Sequence, residues 1–183
     1  MRKLSVLVVF LTTLLVFALV STKFVSANEN VNYDFFIGSG PIEEFGRVIT
    51  MAGNGDTIEV RGNGTFSTKP KTVNGGGTFI HRDKNGHILG TGVWTATRLI
   101  SFTSFGSGSV QGLPANFEGG QALMQIYIDP DARVPGFDGT IKISCELGHF
   151  PSWVHEGVRV AVRGVPINFN REKSGATLFV RKE

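Results

Sequence analysis

Thr140-Ile141-Lys142-Ile143-Ser144-Cys145-Glu146-Leu147 alternates apolar and polar side chains without interruption. That is the period of an extended chain with one face in a core and the other in water. The same pattern returns in Val158, Val160 and Val162, set between Arg159, Ala161 and Arg163. It returns again in Val165, Ile167 and Phe169, and in Ala122, Met124, Ile126 and Ile128 with Leu123, Gln125 and Tyr127 on the opposite face. Working outward, further strands are expected at Phe45–Met51, Thr57–Arg61, Thr65–Thr68, Gly77–Arg82, Ile88–Thr97 and Ala176–Arg181. No segment carries a sustained helical stripe. One helical turn is expected within Pro41 to Thr50 and another within Asn116 to Gln125.

Turn chemistry punctuates these runs. All 24 Gly and all seven Pro lie beyond residue 27. Lys84-Asn85-Gly86-His87 sits between two strand patterns, and Asn-Gly suits the left-handed pair of a type I′ hairpin turn. Asn54-Gly55, Asn63-Gly64 and Asn74-Gly75 read as further turns. The count comes to about eight to ten short strands, one per ~10 residues. The predicted fold is an all-β, single antiparallel β-barrel of about eight strands, with a β-sandwich as the alternative. Short turns make a meander, and closure removes exposed edges.

The first 27 residues differ in kind. Arg2 and Lys3 precede an apolar run from Leu4 to Val20, broken by Ser5, Thr12 and Thr13, and the stretch ends Val25-Ser26-Ala27. This is the order of a secretory signal peptide, with cleavage expected after Ala27 and an uncleaved membrane anchor as the rival. The expected division is residues 1–27 as signal and residues 28–183 as one barrel domain, secreted or held at the cell surface. Lys+Arg number 18 against 15 Asp+Glu; three of the bases (Arg2, Lys3, Lys23) and no acid lie in the leader, so residues 28–183 balance at 15 against 15. A formally neutral domain argues against nucleic acid or an anionic membrane as partner. One Cys, Cys145, allows no internal disulfide.

Gly92-Val93-Trp94 resembles the G-x-W element of calycin barrels, lipocalins and avidins among them; the resemblance implies a Trp that closes one barrel end. Allene-oxide-cyclase-like and dirigent-like barrels are similar in strand and Gly pattern, but their catalytic motifs are not found here. The segment from Gly75 to Phe105 is the most distinctive. On strand phase, Phe79 and His81 share one face, as do Trp94, Ala96 and Arg98 on the next strand. If those faces meet inside a barrel, Phe79, His81, Trp94, Arg98 and Phe102 form an aromatic pocket with His and Arg as polar anchors. The competing reading puts His81 and Arg98 on the solvated exterior and Trp94 in the core.

Other candidates point to bland roles. Cys145 lies in phase with Ile141, Ile143 and Leu147, which suits a small core residue better than a nucleophile. Cys145, His149 and His155 offer three metal ligands where a structural zinc takes four. Asp129-Pro130-Asp131 and Asp138 lack EF-hand spacing and read as a turn. Gly75-Gly76-Gly77 has no Lys-Ser/Thr after it and is not a phosphate loop. No Ser-x-x-Lys, Gly-x-Ser-x-Gly or His-Glu-x-x-His occurs, and no cofactor is implied. Three functions fit: a secreted binder of a small, partly apolar molecule; a barrel enzyme of the cyclase or isomerase kind, with His81 or a Glu as acid–base; and a surface or matrix protein acting through its loops. Exposed Phe within Ser101–Phe117 or Gly148–Trp153 would favour the third.

Overall fold

The computed structural model of the chain describes residues 30–131 and 134–183. The expected signal segment, residues 1–27, lies outside them. Ten strands form one antiparallel sheet: β1 (Asn32–Ile37), β2 (Val48–Ala52), β3 (Thr57–Thr68), β4 (Lys71–Arg82), β5 (Ile88–Ser107), β6 (Phe117–Pro130), β7 (Phe137–Cys145), β8 (Gly157–Val162), β9 (Asn168–Ser174) and β10 (Thr177–Arg181). A 3-10 helix at Gly40–Phe45 meets the expectation of a helical turn there. The turn expected within Asn116–Gln125 is instead strand β6, and a 3-10 helix precedes it at Gly108–Gln111.

The sheet is a barrel that closes twice. Strands β3 to β6 are long and form a common wall. At one end β7, β8, β9 and β2 complete a ring of eight strands. At the other end β1 and β10 close the same wall, with β1 pairing both β10 and β3 and β10 pairing β6. Inward side chains follow the period-two pattern: Ala122, Met124, Ile126, Ile128, Ile141, Ile143, Val158 and Val160 are all buried. Cys145 is a core residue as its phase required, and burial together with the nearby Glu156 carboxylate pushes its thiol pKa far up.

Two turn readings change. Asn63-Gly64 and Asn74-Gly75 are not turns. They face each other inside the β3–β4 ladder, with Gly64 opposite Gly75, and the chain reverses instead at Lys69-Pro70. Those glycines give inward rings room against the backbone. A Cβ on Gly64 would lie 2.8 Å from Phe35 Cε1, and one on Gly62 would lie 2.5 Å from Trp94 Cζ2. The hairpin at Lys84–His87 is present, but its turn is centred one residue earlier than expected. Gly86 N donates to Asp83 O at 3.0 Å and Asp83 N to His87 O at 2.9 Å. The central residues are thus Lys84 and Asn85, and Gly86, at φ 90°, takes the left-handed position that follows. Asn54-Gly55 builds the same arrangement between β2 and β3, with Gly55 N to Ala52 O at 3.1 Å and Ala52 N to Asp56 O at 2.8 Å.

Candidate functional site

Both hairpins, with the loops after β6 and β8, stand at the eight-stranded end. Inside that end lies an apolar recess of about 370 Å3. Its walls come from seven strands and two loops: Ile58 of β3, Phe79 and His81 of β4, Leu89 and Gly90 of β5, Ile128 and Pro130 of β6, Phe137 of β7, Val162 of β8, Phe169 of β9, and the loop residues Val134, Val165 and Ile167. Gly90 lies opposite His81 in the β4–β5 ladder, and a Cβ there would meet nothing within 4 Å. Gly92, one inward position deeper, is different: a Cβ would stand 2.8 Å from Phe79 Cε1, so its absence is what seats that ring.

Trp94 lies below the recess. Its indole Nε1 donates to Arg61 O at 3.3 Å, and a void of only about 10 Å3 separates Trp94 from Ile58, Phe79 and Ile128 above it. Below Trp94 the barrel is solid. Phe35 sits 6.5 Å from the indole, and Phe66, Tyr33, Phe102 and Phe179 follow, with ring centroids 4.7–5.9 Å apart. A polar knot finishes this far end. Glu118, buried, accepts the Tyr33 hydroxyl at 2.8 Å and the Ser104 hydroxyl. Burial and the Glu118 carboxylate both hold the Tyr33 phenol protonated, its pKa pushed far up.

The five expected site residues therefore separate. Phe79 and His81 meet in the recess. Trp94 lies one layer beneath its floor and belongs to the core. Phe102 faces inward too, but at the opposite end, among the aromatic rings. Arg98 is on the outside. The phase argument that put it with Trp94 fails because β5 bulges at Thr97: Ala96 pairs Ile126 while Arg98 pairs Gln125. The bulge turns Leu99 inward in place of Arg98, and a second bulge before Ser101 returns Phe102 to the interior.

His81 is the site's polar feature. Its Nε2 is buried without a hydrogen-bond partner, 3.5 Å from Asp56 Oδ2, and its ring meets Phe169 edge-on at 5.3 Å. Asp56 is held in place by Asn54, whose Nδ2 donates to Oδ2 at 2.8 Å while Asn54 Oδ1 accepts from Asp56 N at 3.1 Å. An imidazole beside a carboxylate can hold or pass a proton, and the recess supplies no second titratable side chain among the described residues. Sequence reasoning missed Asp56; its signal was the Asn54-Gly55 turn, which ends on it. It also missed the roles of Val165, Ile167 and Phe169, although their alternation was plain.

A shallow depression at the far end, beside Asn30, Asn32, Asn116 and Arg181, is open and walled mainly by exposed polar residues, which suits it poorly to hold a small molecule. Among the described residues no group of three or more His, Cys, Asp or Glu is placed to hold a metal ion. Asp131 instead accepts the Thr91 hydroxyl at 2.5 Å. Comparison with models of protein families, with curated proteins and with solved structures finds no match to this chain.

Proposed function

We propose that this is an exported β-barrel protein that holds one small, partly apolar molecule in the mouth of its barrel. The observation that carries the reading is the apolar recess of about 370 Å3 above Trp94, with a solid floor and an open rim. Its size falls in the range of small-molecule sites, about 300–1,000 Å3, and its makeup of many hydrocarbon side chains around one polar group is the usual one. The likeness of Gly92-Val93-Trp94 to calycin carriers points the same way. The export half rests on residues 1–27, with their basic start, apolar run and small residues before Asn28.

The test is a native mass spectrum of the exported protein beside its denatured mass, for the parent and for Gly90→Leu. The leucine would enter the recess without backbone strain, because Gly90 has open space around its Cβ position. The expected result is a chain spanning residues 28–183 carrying a discrete small adduct that Gly90→Leu lacks. An adduct retained in Gly90→Leu would place binding elsewhere, and an uncleaved chain in the membrane fraction would end the export reading.

A second reading, a protein that acts through its surface, is favoured by one observation. Trp153, 65% exposed, and Phe150 project from the loop between β7 and β8. That loop is held at its ends, where Glu146 N donates to Glu156 Oε2 and Glu156 N to Glu146 Oε1. It is also tied to the Gly108–Gln111 helix, where the Gln111 amide bonds both Gly148 O and Gly148 N. Loss of partner capture on Trp153→Ser with the recess intact would support it.

A further inference from the structure

The recess is walled almost entirely by hydrocarbon. Among the described residues no Lys, Arg, Asp or Glu lines it, and His81 is the one lining side chain with hydrogen-bonding atoms. An ionised head group drawn into such a wall loses its hydration and finds no opposite charge in return. A carboxylate brought to His81 finds no Lys or Arg in the lining. An ammonium group fares no better, because Asp56 does not line the recess and its Oδ2 already accepts Asn54 Nδ2. A hydroxyl both donates and accepts, so it can serve the imidazole in either tautomer. Nε2 is buried against Asp56, so the recess meets the rest of the ring.

Resting on the ligand-binding reading above, we propose that the recess selects uncharged, largely hydrocarbon molecules bearing a single hydroxyl group, bound with that hydroxyl against the His81 imidazole. Asp56 is then a positioning residue that fixes the ring, and the apolar walls exclude charged analogues of the same length.

Four ten-carbon probes test this: 1-decanol, 1-chlorodecane, decanoate and decylammonium. Each is titrated at pH 7 by calorimetry and by Trp94 emission in a Trp153→Phe background. One well-placed hydrogen bond corresponds to about a tenfold gain in affinity. The expected order is therefore 1-decanol about tenfold tighter than 1-chlorodecane, with both ions weaker than either. In His81→Phe, 1-decanol falls to the level of 1-chlorodecane, whose own affinity is unchanged; His81→Gln, which keeps a hydrogen-bonding group, recovers part of the difference. If all four probes bind alike, or decanoate binds tightest, the hydroxyl selection is overturned while the binding reading stands. If no probe binds to parent or to Gly90→Leu, the inference falls together with the binding reading.

Discussion

The two ends of this barrel are built from the same four long strands, yet one is packed and the other is open. At the six-stranded end, Phe35, Phe66, Phe102, Phe179 and Tyr33 fill the interior ring against ring, and Glu118 ties off the last polar atoms. At the eight-stranded end the wall is wider by two strands, and small residues, Gly90, Val162, Val165 and Ile167, stand among the Phe side chains of the lining. Barrel diameter grows with strand number, so adding strands to a shared wall while reducing some of the inward side chains leaves a recess. Stability and binding are thereby assigned to opposite ends, and several substitutions can break or sharpen that division.

The largest effect is expected from Phe66→Ala or Phe179→Ala. Each deletes a fully packed ring at the six-stranded end and costs about 3–5 kcal/mol in urea unfolding. Ile167→Ala at the open end is expected to cost under about 1 kcal/mol, because its side chain is only partly buried to begin with. Equal losses would show that the recess is as tightly packed as the far end.

Next come paired glycine substitutions. Gly62→Ala places a Cβ 2.4 Å from Gly76 O and 2.5 Å from Trp94 Cζ2, and is expected to destabilise by about 1–3 kcal/mol through overpacking. Gly90→Ala meets nothing within 4 Å and is expected to be neutral or to stabilise by up to about 1 kcal/mol, by restricting the unfolded chain. Tyr33→Phe removes one of two hydroxyls from the buried Glu118 and is expected to cost about 1–3 kcal/mol.

The smallest effect concerns pH. Burial raises the Glu156 carboxyl pKa, although backbone N–H groups of Glu146 and Thr177 and the Thr177 hydroxyl pull it the other way. A folded-state pKa above the unfolded value means the folded chain holds the proton longer. The contribution is therefore present below the unfolded pKa and is lost as pH rises through the folded one. Urea midpoints measured from acid toward neutral pH should show that loss, and Glu156→Gln should flatten it.

The parts of this plan that were readable in the sequence are those governed by simple alternation. Strands β6, β7 and β8 keep one face inward, and apart from Gly119, Ser144 and Gly157 their buried residues match their phase. Strand β5 does not. Its bulges carry Arg98 out and Leu99 in, and nothing in Thr95-Ala96-Thr97-Arg98-Leu99 announces an extra residue. Strand β1 was missed because Phe35 and Phe36 are adjacent aromatics of which only Phe35 reaches the core, which blurs the alternation. Asn63-Gly64 and Asn74-Gly75 carry turn residues for a different reason. Their glycines are required where the sheet lies close beneath Phe35, and a turn and a close approach look alike in sequence. Part of the candidate site was legible for the same cause: Phe79 and His81 lie on β4 before the β5 bulges, Arg98 is turned out by the first of them, and Phe102 keeps its inward face but lies too far along β5 to reach the recess.

Strand β10 lies between β1 and β6, so the six-stranded ring is joined by segments from opposite ends of the described chain. Such closure has high contact order and is slow. During synthesis, Phe35 and Phe66 emerge long before Phe179, the ring against which they finally pack. Until Thr177–Arg181 leaves the ribosome the packed end has no complete wall, so the six-stranded ring waits on its latest strand, whereas the eight-stranded ring closes without it.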